Sequence, residues 1–236
     1  MNRHKKLVWL TLFVLSCTAA EAQHPAVAPS HLPDSRTLTV QRKVDELFEA
    51  GDYERAYFIY RNELAPAGDK YAQYMIGYMH LMGLGAAEDH GAALAWYRLA
   101  AERGTAEFMA VRDQLDRDLD ASQRRRADAL YPQLRREYSD LVVLLAAIKR
   151  DLREMEVKSG SRLKGRTNTM TVVDSRQPVS VRSGHDYYGR IRRQLEANLV
   201  TLASLGDFPE METDPDRVDL DKVEQLVERR LESGND

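Results

Sequence analysis

"ALAWYRLAAERG", residues 93–104, decides the fold of this 236-residue chain. At helical spacing, Ala93, Trp96, Tyr97, Ala100 and Ala101 fall at i, i+3, i+4, i+7 and i+8, which is one continuous face. Two large rings at one end of that face fill a gap between helices. Two alanines at the other end let a neighbouring helix come close. Gly104 then permits the left-handed residue that ends a helix. Trp96 and Tyr97 are therefore expected in the core rather than on a binding surface.

The residues just before it, "KYAQYMIGYMHLMGLGAAEDHG" (70–91), are apolar almost all round at Ala72, Tyr74, Met75, Ile76, Tyr78, Met79, Leu81 and Met82. Such a helix is buried on more than one side. Gly77 in its middle costs about 1 kcal/mol against Ala, which close backbone packing would offset. Gly83 and Gly85 turn the chain. The pattern recurs upstream in "LFEAGDYERAYFIYRNELAPAG" (47–68). There Ala56 falls on Ala93, Ile59 on Trp96 and Tyr60 on Tyr97 at an offset of 37, and Gly68 falls on Gly104 at an offset of 36. Downstream, "GTAEFM" echoes "GDKYAQY", with Ala106 and Phe108 in the places of Ala72 and Tyr74. Self-similarity at this period, built from helix pairs, predicts an all-α solenoid over residues 38–119.

The run from Ala72 to Gly104 closely resembles the Sel-one-like repeat, a relative of the tetratricopeptide repeat. The residues that carry the resemblance are Ala72, Ile76, Gly77, Gly83, Gly85, Asp89, Ala93, Trp96, Tyr97, Ala100, Ala101, Glu102 and Gly104. The sequence departs from the family pattern at His80, Ala86 and Ala92, where Tyr, Val and Lys are usual. The resemblance implies stacked antiparallel helices, a concave surface and a role in protein–protein assembly. Enzymatic activity in the family attaches to cysteine-rich exported members, and beyond Cys17 this chain has no cysteine, so none is carried over.

The N-terminus reads as an export signal. "MNRHKK" is basic, "LVWLTLFVLSCTAA" is a short apolar run, and "AEA" ends at Ala22 in a small-x-small cleavage pattern. The run is too short and wrongly flanked for a stable membrane span. Two outcomes stand open: cleavage after Ala22, or a lipoprotein signal over 1–16 with Cys17 acylated as the first mature residue. The first predicts a periplasmic protein and the second an outer-membrane lipoprotein. Neither leaves a disulfide. Residues 23–37 carry three prolines and read as an extended tether.

After the repeat, residues 120–158 carry Leu134, Tyr138, Leu141, Leu145, Ile148, Leu152 and Met155 in alternating steps of 4 and 3. That 3.5-residue period predicts one long helix, opened or kinked by Pro132, that either caps the solenoid in a monomer or pairs in a coiled-coil dimer. Residues 159–186 are rich in Gly, Ser and Thr and read as a small β-hairpin or a loop. Residues 187–236 return to helices, with Asp219 capping the last one. Charge is sharply divided here. Residues 158–193 hold nine Lys or Arg against Asp174 and Asp186, and residues 194–236 hold twelve acidic against four basic residues. The two stretches can pair with each other, or the basic one, with Arg162, Lys164 and Arg166, can bind anionic lipid or polysaccharide.

No catalytic constellation emerges. Among His24, His31, His80, His90 and His185 no two have metal-ligand spacing on one helix. No nucleophile elbow, phosphate-binding loop or zinc-protease motif occurs, and no nucleic-acid recognition motif is present. The arginines at 124–126, with Arg135 and Arg136, are interleaved with Asp128 and Glu137 and read as a solvated helix face. The sequence thus predicts an exported, non-enzymatic scaffold with no cofactor and no metal, binding a protein on the concave repeat surface.

Overall fold

A computed structural model of the protein describes residues 35–160, 171–173 and 181–233. The export signal, Cys17, most of the tether, and Arg162, Lys164 and Arg166 lie outside the described residues. The last three tether residues open the first helix.

Three helix pairs come first. They are α1 (Ser35–Glu49) with α2 (Tyr53–Ile59), α3 (Lys70–Met82) with α4 (His90–Ala100), and α5 (Ala106–Asp118) with α6 (Ala121–Tyr138). The starts follow from local chemistry, because an aspartate before the first turn accepts a backbone N–H that the helix itself cannot satisfy. Asp69 accepts from Ala72 N and Asp89 from Ala92 N, while Asp120 and Gln123 form a reciprocal capping box.

Helix α4 is the centre of the stack, with α3, α5 and α6 packed around it. Trp96 is 2% exposed and Tyr97 1%. The Trp96 ring meets Tyr138 of α6 at 5.0 Å and lies under the Arg61 guanidinium at 5.6 Å. The predicted apolar face accounts for only part of this burial. Ala92, Leu94, Ala95 and Leu99 are buried too, because three neighbours surround the helix instead of one.

The shift in repeat offset from 37 to 36 has a structural cause. Helix α2 continues through a π turn at Tyr60–Leu64 and a 3-10 turn at Ala65–Ala67. The first copy has one more residue between Tyr60 and Gly68 than the second has between Tyr97 and Gly104, and a π turn is the way an α-helix absorbs a single insertion. Gly68 and Gly104 then occupy the same left-handed position, at φ 80° and 71°. Two other glycines are required by close approach. A Cβ on Gly77 would stand 2.7 Å from the Tyr97 ring, and one on Gly85, at φ +65°, would collide with the Tyr53 carbonyl.

The predicted single helix over 120–158 is instead two helices, α6 and α7 (Asp140–Gly160), broken at Ser139 in extended conformation. Pro132 lies inside α6 and does not open it. The leucine seam is divided accordingly. Leu134 and Tyr138 belong to the core of the repeat pairs, whereas Leu141, Leu144 and Ile148 belong to a second core with Leu195, Leu199 and Leu202 of α8 (Gly184–Gly206) and Val223, Leu226 and Val227 of α9 (Leu220–Glu232). Apolar positions at coiled-coil spacing are thus covered within the chain. Between α7 and α8, strands β1 (Thr171–Val173) and β2 (Val181–Ser183) pair antiparallel, Val172 opposite Arg182. Asp219 caps α9 by accepting from Lys222 N. No described helix is long and apolar enough to cross a membrane.

Gly77→Ala tests the packing of α3 on α4. An exposed helix would gain up to about 1 kcal/mol from this change. Here the added methyl meets the buried Tyr97 ring, so urea denaturation should show a net loss of about 1–3 kcal/mol. A midpoint equal to or above the native one would show that the two helices are not in tight contact.

Candidate interaction surface and the joint beside it

The first helices of the three pairs, α1, α3 and α5, are linked by a line of aromatic rings. Phe48 of α1 lies 6.3 Å from Tyr78 of α3, and Tyr74 of α3 stacks on Phe108 of α5 at 5.2 Å. Tyr71, Tyr74 and Tyr78 fall at i, i+3 and i+7, one stripe of α3. Tyr74 is anchored from beneath by the Tyr97 ring at 5.2 Å. Tyr71 stacks near Tyr74 at 6.4 Å yet remains 52% exposed. A large ring held half in solvent on a fixed aromatic base offers contact area at low conformational cost. Nearby, Gln41 of α1 donates to Asp69 at 2.7 Å, which ties α1 to the start of α3.

One end of the repeat holds a buried polar joint. Lys70, 6% exposed, reaches the Glu102 carboxylate at 2.7 Å, the Asp140 carboxylate at 3.3 Å, and the Leu99 carbonyl and Gln73 Oε1 at 3.2 Å each. Arg103 clamps Asp140 with two hydrogen bonds of 2.7 Å and donates to the Gly68 carbonyl at 3.0 Å. Glu102 also accepts the Asp140 backbone N–H at 3.1 Å. Gln73, fully buried, donates to the Tyr138 carbonyl at 3.0 Å. Burial alone would raise the Asp140 carboxyl. The Arg103 hydrogen bonds and the Lys70 and Arg103 charges outweigh it and hold the group below the usual carboxylate value. This arrangement fixes the corner between α6 and α7.

The motif residues read from the sequence form a frame rather than a surface. Ala72, Ala93, Ala100 and Ala101 are buried where helices approach closely. Asp89 caps α4 and also accepts from Arg126. Gly83 ends α3 at φ 65°. His80, where the family usually has Tyr, is half-buried. Its Nε2 lies 3.2 Å from the Tyr57 hydroxyl and its Nδ1 3.2 Å from the Ala87 carbonyl, so it ties the glycine turn to α2. Burial lowers its pKa below the ordinary histidine value. Sequence reading missed Tyr71, Lys70, Gln73, Arg103 and Asp140. Tyr71 was findable as the member of a Tyr-x-x-Tyr stripe that lies off the apolar face. The joint was not, since its links between elements span 29 to 70 residues of sequence, from Lys70–Leu99 to Lys70–Asp140. Among the described residues no group of His, Cys, Asp and Glu could hold a metal ion.

Stacked helix pairs with an aromatic line across one row define a helical-repeat module. Residues 70–105, which span α3, its turn and α4, match the Sel1 repeat family, so the chain carries a Sel1 repeat. Repeats of this family generally mediate protein–protein interaction and typically serve as non-enzymatic scaffolds. No curated protein and no solved structure matches the chain significantly.

Two measurements check the frame. Asp140→Asn removes the carboxylate shared by buried Lys70 and half-buried Arg103 and should cost about 3 kcal/mol in urea denaturation. A loss no larger than that of an exposed ion pair, about 0.5 kcal/mol, would mean that the joint does not hold the corner. For His80 the sign is fixed by its lowered folded pKa. The folded protein binds fewer protons than the unfolded one, so stability is complete above the unfolded value of 6.5 and declines as pH falls below it. His80→Gln should flatten that decline, and parallel pH profiles for the two proteins would show that His80 titrates alike in both states.

Proposed function

We propose that this protein is an exported, non-enzymatic scaffold of the bacterial cell envelope, and that it captures a protein segment on the row formed by α1, α3 and α5. The observation that carries the reading is Tyr71, an aromatic ring half in solvent at the centre of that row and supported by Tyr74, Tyr97 and Phe108. A Sel1 repeat at residues 70–105 supports a protein partner. The basic start, short apolar run and Ala22 cleavage pattern support export. The protein is then periplasmic, or anchored in the outer membrane if Cys17 is acylated, with residues 23–34 as its tether.

The test is a capture experiment on envelope extract in moderate salt, comparing the native protein with Tyr71→Ala. Since Tyr71 is exposed, the variant should keep its thermal midpoint. A defined protein retained by the native chain should be weakened at least tenfold by the variant, about the 1.4 kcal/mol typical of an interface anchor. Equal retention by both would place the partner elsewhere on the molecule.

A further inference from the structure

The surface around Tyr71 carries charge as well as a ring. Leu38, Arg42, Asp45 and Glu49 fall at i, i+4, i+7 and i+11, one flank of α1. Gln41 borders that flank and donates to Asp69, two residues before Tyr71, so Leu38 and Tyr71 stand at the same end of the row. Leu38 is 49% exposed, and it and Tyr71 are two of the four large apolar side chains that are exposed among the described residues. Both carboxylates at this end are held by neutral donors. The Tyr60 hydroxyl donates to Asp45 at 3.3 Å, and Gln41 and the Ala72 N–H donate to Asp69 at 2.7 and 3.0 Å. Neither has a cation within 4 Å among the described residues. Lys70, next to Asp69 in sequence, is turned to Glu102 and Asp140. Arg42 shares the flank but pairs with none of Asp45, Glu49 and Asp69. These groups converge on one hydroxyl. Burial raises the pKa of Tyr60, and the Tyr71 hydroxyl and the Asp45 and Asp69 carboxylates raise it further. Burial likewise raises the Asp45 carboxyl, and the Glu49 and Asp69 charges add to this against the Tyr60 hydrogen bond.

We infer that the protein segment captured at Tyr71 presents a lysine or arginine, seated on the Tyr71 ring beside Asp45 and Asp69, with an apolar neighbour on Leu38. The inference rests on the capture site proposed above and gives its partner a chemistry. Charge complementarity carries it. Two carboxylates oriented by neutral donors keep their full charge, and a bound cation supplies the counter-charge that the described chain does not. The exposed face of Tyr71 attracts a cation through its ring electrons, and Leu38 rewards an apolar side chain next to it. A metal ion fits this surface poorly. Among the described residues no group of His, Cys, Asp and Glu stands close enough to hold one, and an aromatic ring offers a hard cation no oxygen.

The test titrates the protein with three blocked peptides of equal length, in which leucine alternates with lysine, with glutamine or with glutamate. The lysine peptide should bind most tightly and the glutamate peptide least, and the advantage of lysine over glutamine should shrink as salt is added. The double variant Asp45→Asn, Asp69→Asn keeps an oxygen for Tyr60 and for the Ala72 N–H, and asparagine caps helices as well as aspartate does, so its thermal midpoint should be unchanged. It should bind the lysine peptide about tenfold more weakly, since each exposed ion pair is worth up to about fivefold, and bind the glutamine peptide as the native protein does. Arg42→Gln, which removes a like charge from the flank, should strengthen the lysine peptide about twofold. The inference is overturned if the glutamate peptide binds as tightly as the lysine peptide, if the double variant keeps native affinity for the lysine peptide, or if Arg42→Gln weakens it. Capture from envelope extract separates the inference from the reading beneath it. Loss of the partner by Tyr71→Ala but not by the double variant would leave the capture site standing and overturn the cation alone. Retention by both would overturn the capture site and the inference with it.

Discussion

Lys70, Glu102, Arg103 and Asp140 are two cations and two carboxylates taken largely out of water at one corner of the molecule. Such a group is tolerable only if every charge finds partners, because the desolvation of one unpaired ion costs several kcal/mol. Here the accounting closes. The Lys70 ammonium faces two carboxylates, a carbonyl and an amide oxygen, and Asp140 receives a bidentate guanidinium. The consequence is geometric. Glu102 and Arg103 belong to the turn that closes α4, and Asp140 is the first residue of α7. The end of the Sel1 repeat therefore dictates where the second hydrophobic core begins.

The same corner explains why a continuous heptad seam does not make a continuous helix. The spacing of Leu134, Tyr138, Leu141, Leu145 and Ile148 is unbroken in sequence, and nothing in it marks Ser139. What breaks the helix is tertiary. Gln73 takes the Tyr138 carbonyl and Glu102 takes the Asp140 N–H, two backbone groups that an unbroken helix would have used itself. Periodicity could say which residues are apolar but not which core they serve.

Other parts were legible, because their causes are local. Asp69, Asp89, Asp120 and Asp219 stand at helix starts for reasons contained within four residues. Gly77 and the alanines of α4 announce close packing by their size. Even the π turn left a trace, as a one-residue change in the offset between copies. The candidate surface was harder to read for a reason intrinsic to repeats. A motif records the residues that make helix pairs stack, and those residues are buried. Exposed side chains fall at positions the motif leaves free, such as Tyr71 between Lys70 and Ala72. The family signature therefore describes the frame well and says little about what the frame presents.

Charge shows the same division between what composition can state and what placement decides. The C-terminal third carries a basic stretch followed by an acidic one, and as totals the two nearly cancel. Ion pairing in water acts over about a Debye length, roughly 8–10 Å, so cancellation requires proximity. The acidic residues that form described pairs do so with Lys149 and Arg192, and also with Arg217 and Lys222 in their own stretch. Placement brings the two stretches together along α7 and α8: Arg153 lines a shallow groove with Asp219 and Asp221, and Arg193 follows directly on Arg192, which Asp214 and Asp216 hold.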